Sequence, residues 1–199
     1  SLLCFINTKK YKIIPHPQVF EFGLNEINKI WDCKINKKKL LLYIGRLHET
    51  KGVFEMLTAL NDLVSLGTSL DFRIDIYGFG DKNYIDNVIK YIEKNNLNAQ
   101  FKGLILKEDK KQAFLDAHAI ILPSQTEGLP MSLIEASSFG LPLFITNECN
   151  LDWVINKSHG YKFKFSTDNI KKLLINFNND SSENLKKMGL NTFEKSNLI

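Results

Sequence analysis

Residues 40–52 read LLLYIGRLHETKG. Leu40, Leu41, Leu42, Tyr43 and Ile44 form an unbroken apolar run closed by Gly45. A strand buried on both faces reads this way, because neither face needs polar residues. Downstream, Val53, Leu57, Leu60 and Val64 recur at helical spacing until Gly67. That pattern predicts a helix with one apolar face and a glycine stop. A doubly buried strand feeding an amphipathic helix is the first half of a βαβ unit.

The unit repeats outward from there. Phe72, Ile74 and Ile76 alternate and end at Tyr77-Gly78. Ile85, Val88, Ile89 and Ile92 then mark a second amphipathic helix, stopped by Asn95-Asn96. A short strand over 99–103, a helix over 108–116 and a buried strand over 118–122 follow, the last stopped by Pro123. A helix over 131–139, strands at 143–145 and 160–163, and helices over 167–178 and 181–195 complete the pattern. This predicts an α/β fold: three-layer and Rossmann-like, a doubly wound, mostly parallel sheet with helices on both faces. Such sheets bind ligands beyond the carboxyl ends of their strands. Before residue 40 the pattern is weaker. Residues 11–14 (YKII) read as a strand, His16-Pro17 as a turn, and 24–33 as a helix with Leu24, Ile27, Ile30 and Trp31 on its apolar face. The expected organisation is a linker with a first strand over 1–17, an irregular or short helical connection over 18–39, and the Rossmann-like domain over 40–199.

The composition fits a globular protein, with 44% hydrophobic and 24% charged residues in 199. A net charge of +4 suits anionic ligands but falls short of a nucleic-acid footprint, which needs clustered excess. The run Lys37-Lys38-Lys39 reads as a solvated strand entry. Three scattered cysteines without metal spacing point to a reducing cytosol. No apolar stretch has the length of a membrane span. The chain opens on Ser1, which suggests a fragment of something longer or a processed chain.

The strand ends carry the chemistry. After the strand at 40–44, Arg46 and Lys51 straddle a turn that leads into a helix. Arg46 can grip phosphate oxygens bidentately and Lys51 adds a point charge. The same two residues fit solvated loop charges equally well. After Tyr77, Gly78-Phe79-Gly80 either lets a ribose or phosphate approach the backbone or makes an ordinary turn. A full dinucleotide fingerprint needs a third glycine where Asn83 stands, which argues against a nicotinamide or flavin site. After the strand at 118–122 comes PSQTEGLPMSLIEAS (123–137). Gly128 loosens the backbone, and the helix starts near Met131 or Ser132 with its first amides aimed at the strand ends. A diphosphate could rest there. Glu127 in the turn can accept from sugar hydroxyls, and Glu135, about one turn into the helix, suits a ribose diol. Their plainer readings are a surface loop acid and a helix stabiliser. Of the histidines, His118 begins a buried strand and reads as structural. His48, in the loop with Lys51, is an ordinary loop histidine within reach of a ligand.

Together, IGRLHETKG (44–52), IYGFG (76–80), FKG (101–103) and ILPSQTEGLPMSLIEASSFGLP (121–142) resemble the carboxy-terminal, donor-binding domain of retaining glycosyltransferases of the GT-B fold. The glycogen-synthase-like glycosyltransferase family 4 is the group they resemble. The resemblance covers residues 40 to about 165 and includes the pair Glu127 and Glu135, seven residues between them. It implies that Arg46 and Lys51, with Gly45, hold a donor's diphosphate and stabilise the departing nucleotide. It implies that Glu127 meets the donor sugar, helped by Gly128, Leu129, Pro130 and Met131. Ser132 and Leu133 would meet the phosphates, Glu135 the ribose, and Gly78, Ile105 and Leu106 the nucleoside. Phe79 departs from the acidic residue that the family often carries between its two glycines, and His16-Pro17 from its usual Asn-Gly.

The implied activity is transfer of a sugar from a nucleotide-diphosphate sugar to a glycan or lipid-linked acceptor, with retention. No cofactor and no metal are expected, since no Asp-x-Asp stands at a strand end and the cations supply the countercharge. Loss of Arg46 or Lys51 should raise the barrier by about 2.7–4 kcal/mol. The acceptor would bind an amino-terminal domain that this chain lacks, so the chain alone is expected to bind nucleotide weakly and to be inactive. The expected setting is bacterial polysaccharide biosynthesis in the cytoplasm, with peripheral membrane association of the full-length protein and no nucleic-acid partner. A nucleotide-sugar epimerase or a phosphorylase of the same architecture, or a non-catalytic nucleotide- or sugar-binding module, are the alternatives.

Overall fold

The structure, a computed structural model, describes residues 22–154 and 156–197. The strand expected at 11–14, the turn at His16-Pro17 and the linker over 1–17 lie outside the described residues. Among the described residues there are six strands: β1 (Lys39–Ile44), β2 (Phe72–Tyr77), β3 (Ala99–Gly103), β4 (Ala119–Leu122), β5 (Leu143–Thr146) and β6 (Gly160–Phe163). They form one sheet in the order β3-β2-β1-β4-β5-β6, and every pairing is parallel. The order reverses at β1, the switch point of a doubly wound fold. β1 is buried from Leu40 to Ile44 because it lies between β2 and β4 and is covered on both faces.

Among the described residues seven helices accompany the strands: α1 (Leu24–Lys34), α2 (Val53–Ser65), α3 (Lys82–Lys94), α4 (Lys107–Asp116), α5 (Met131–Ser138), α6 (Thr167–Asn179) and α7 (Ser182–Ser196). α2 packs with α3 and α6, while α7 packs with α1 and α5. The two groups make the outer layers. α2 buries Val53, Met56, Leu57, Ala59, Leu60 and Leu63, while Val64 is half in water. On one face Phe72 and Phe144 meet Phe177 of α6 edge-on, with ring centres 5.1 and 5.6 Å apart. Among the described residues no helix is long and apolar enough to cross a membrane.

α1 falls in the stretch expected as a connection outside the domain, yet it is packed into the core. Ile27 and Trp31 are fully buried, and the Trp31 indole N–H donates to the Gly140 carbonyl at 2.9 Å. Leu24, expected on the apolar face, is instead exposed, because it opens the helix where α1 has only just reached the domain. At the foot of β1, His118 accepts from the Leu40 amide through Nδ1 at 3.2 Å, so its Nε2–H donates to the Lys34 carbonyl at 3.0 Å. Burial and the neighbouring Lys34 lower its pKa to about 4, so it is a neutral structural residue.

Candidate functional site

The carboxyl ends of β1, β2 and β4 carry turns that are locked to one another. After β1 the chain makes a 3-10 turn over Glu49–Lys51, capped by His48, whose Nδ1 accepts from the Thr50 amide at 3.3 Å. Gly52 then turns left-handed, with φ 69°, to start α2. A side chain there is excluded twice: the conformation disfavours L-residues, and a Cβ would lie 2.0 Å from the Pro123 carbonyl oxygen. The turn after β1 is thus pressed against the turn after β4. The Gln125 amide donates to the Thr50 carbonyl at 2.8 Å, closing the contact. On the other side the Leu47 amide donates to the Phe79 carbonyl at 2.7 Å. Gly78 lies so close to Gly45 that a Cβ would sit 1.8 Å from its carbonyl oxygen. Beneath, the buried Tyr43 hydroxyl donates to the Arg46 carbonyl at 2.9 Å. Burial pushes that phenol well above its usual range, so it remains a donor.

Lys51 and Glu127 meet at the centre of this arrangement. The Lys51 ammonium donates to Glu127 Oε1 at 2.7 Å and to the Thr126 carbonyl at 3.1 Å. The same carboxylate oxygen accepts from the Ser124 hydroxyl at 2.7 Å. Thr146, at the end of β5, donates to the Ser124 carbonyl at 2.6 Å, and Asn150 donates to the Glu127 carbonyl at 2.8 Å. Ser124, Thr146 and Asn150 were missed by motif reading. Thr146 and Asn150 obey the same rule as the residues it found, standing at or just after a strand end.

α5 starts at Met131, behind Pro130, with no side chain capping it and no acidic residue in its first turn. Its leading amides and dipole therefore favour an anion. Leu133 is fully buried, and its amide is already bonded to the Pro130 carbonyl at 3.0 Å. Met131 and Ser132 precede it at the helix start. A Cβ at Gly128 would meet nothing within 4 Å. It borders open space, so its lack of a side chain keeps room clear and relieves no backbone strain.

Arg46 is exposed, with its guanidinium in no ion pair among the described residues. Glu135 sits on α5 and is ion-paired with Lys110 of α4, a residue that motif reading did not single out. Ile105 is partly buried beside the core, whereas Leu106 and Leu129 are exposed at the rim of the same end of the sheet, as is Phe79. The arrangement brings two ammonium groups, two carboxylates and an uncapped helix start to one end of the sheet.

The sequence profile of the family described as glycosyl transferases group 1 matches residues 27–195. The chain belongs to that family. Among curated relatives is the capsular polysaccharide biosynthesis glycosyltransferase CapM of Staphylococcus aureus, 24% identical over 163 residues, covering 78% of this chain and 42% of CapM. The chain spans about half the length of the curated relatives it matches. Among solved structures, the C-terminal domain of the group 1 protein LpcC from Francisella tularensis superposes with a TM-score of 0.71 at 20% identity, covering 91% of this chain and 95% of that domain. TarM of S. aureus, solved with UDP, gives a TM-score of 0.68 at 21% identity, over 92% of this chain and 34% of TarM. The fold is thus that of the carboxy-terminal half of a GT-B glycosyltransferase, and α1 lies within the matched residues from Ile27 onward.

Proposed function

We propose that this chain is the donor-binding half of a glycosyltransferase that moves a sugar from a nucleotide-diphosphate sugar to a glycan or lipid-linked acceptor. The observation that carries the reading is the reach of Lys51 across two turns to Glu127, beside the uncapped start of α5. An anion seated on the amides of Met131 and Ser132 would lie within the field of Lys51 and Arg46. As the glycosidic bond to phosphate breaks, charge grows on the leaving oxygen, and fixed cations and amides stabilise it without reorganising. A diphosphate would compete with Glu127 for the Lys51 ammonium. Glu127 then keeps the Ser124 hydroxyl and has lone pairs to spare for sugar hydroxyls, over the open space at Gly128. Glu135 would take the ribose, and Gly45, Gly78, Ile105 and Leu106 would border phosphate and nucleoside.

The acceptor would be held by a second Rossmann-like domain outside this chain, so the chain alone binds nucleotide and does not transfer sugar. The family likeness supports retention of configuration, and the local cations support a reaction that does not depend on a metal. The relation to CapM supports polysaccharide biosynthesis, and the setting we propose from the family likeness is the cytoplasm, at the inner face of the membrane. The test is binding of UDP, GDP, ADP and their hexose conjugates to this chain, followed by thermal shift and calorimetry. At least one nucleoside diphosphate should raise the unfolding midpoint and bind more tightly than its nucleoside. No shift with any of them at millimolar concentration overturns the reading.

A further inference from the structure

The ion pair between Lys110 and Glu135 joins the two helices that leave the carboxyl ends of β3 and β4. The Glu135 side chain is 13% exposed and that of Lys110 28%. A carboxylate so far withdrawn from water is held in one place only when a partner satisfies it. Lys110 is poorly placed to serve its own helix. It stands in the opening of α4, its amide making the first helical bond to the Leu106 carbonyl at 2.8 Å. A cation at that end opposes the helix dipole. The pair therefore does its work at Glu135. It also completes a pattern: both carboxylates that bracket the start of α5 carry a lysine from another strand end, Lys51 from the turn after β1 and Lys110 from the helix after β3.

We propose that Lys110 is a positioning residue for Glu135. It holds one carboxylate oxygen, so that the other is presented in a fixed direction to the vicinal hydroxyls of a ribose. This deepens the reading above and rests on it. Without the ammonium, the withdrawn carboxylate turns toward water. The diol then loses an aligned acceptor, while phosphate contacts at Lys51 and α5 are untouched.

The experiment compares two affinities in each variant: for whichever of UDP, GDP or ADP binds the wild-type chain, and for its 2′,3′-dideoxy counterpart. The wild type should favour the ribose form by about tenfold or more, the scale of hydrogen bonds to a charged acceptor. Lys110→Met should bring that ratio close to one, chiefly by weakening the ribose form, and Lys110→Arg should restore most of it. Lys110→Gln, which keeps a polar stem, reads the same ratio if the methionine variant folds poorly. A purely structural bridge between α4 and α5 would lower both affinities together and leave the ratio unchanged, which overturns the proposal. A wild type that binds nucleotide without ribose preference also overturns it and leaves the donor site standing. Failure of every nucleoside diphosphate to bind removes both.

Discussion

Two pairs of withdrawn lysines stand at opposite ends of the same sheet. At the carboxyl ends of the strands, Lys51 and Lys110 are held by the carboxylates of Glu127 and Glu135. At the amino ends, Lys34 and Lys39 are held by main-chain carbonyls. Lys34 donates to Ala117 at 2.5 Å with its ammonium 4.1 Å from the centre of the Trp31 ring. Lys39 donates to the carbonyls of Phe177, Asn178 and Asp180, closing the end of α6. The difference is one of exchangeability. A carboxylate is a counter-ion that an incoming phosphate can replace, and the carboxylate can then turn to hydroxyls. A neutral carbonyl at a helix or strand end is not a counter-ion that a phosphate can replace, and its lysine is a fastening. Burial alone does not separate the two kinds; the chemistry of the partner does.

The largest effect should come from Lys51→Met. Hydrogen bonds to charged groups contribute about 1.5–3 kcal/mol, so nucleoside-diphosphate affinity should fall by about 10–150-fold. Lys34→Met should leave that affinity unchanged when both are measured by calorimetry. Equal losses in the two variants would break the distinction between the two ends.

The second effect sharpens the amino-terminal side. Burial lowers the Lys34 pKa from 10.5 to about 7, against a smaller opposing pull from Asp116. Between those values the unfolded chain holds a proton that the folded chain has released. Stability from this group therefore rises with pH across the window from about 7 to 10.5, by at most about 1.4 kcal/mol per pH unit. Below pH 7 the cost of the buried charge is fully present. Chemical denaturation of wild type and Lys34→Met from pH 6 to pH 9.5 should show the wild type gaining on the variant as pH rises. Parallel curves would mean that Lys34 is not withdrawn in solution.

The smallest effect is expected at Gly128. With nothing within 4 Å of a Cβ there, Gly128→Ala should change the unfolding free energy by no more than about 0.5 kcal/mol. The methyl group points into space next to Glu127, so the variant should weaken binding of a nucleotide-sugar more than that of the bare nucleotide. Equal weakening of both would move the sugar away from this turn.

The βαβ rhythm was legible because burial imposes local periods. β1 had to be apolar on both faces, and α2 on one, wherever the rest of the chain went. α1 was harder to read. Its anchor, the Trp31 bond to Gly140, joins residues 109 apart, and no local pattern reports such a contact. The site divides in the same way. Lys51, Glu127 and Glu135 were visible as residue types after strands, but the Lys51–Glu127 bond spans 76 positions, and nothing near Glu135 pointed to Lys110. Leu133 lies inside a chemically suggestive segment, yet helical phase turns it inward, where it is fully buried.

The sequence by itself determined the alternation of strands and helices and the kinds of side chain at the strand ends. Both follow from hydrophobic period and turn chemistry, which act over a few residues. The tertiary structure alone decided which charges meet, and that Gly52 must be bare because Pro123 lies against it. Ion pairs and close backbone contacts depend on distances in space, and the crossing of the chain at β1, the point where the sheet order reverses, sets those distances.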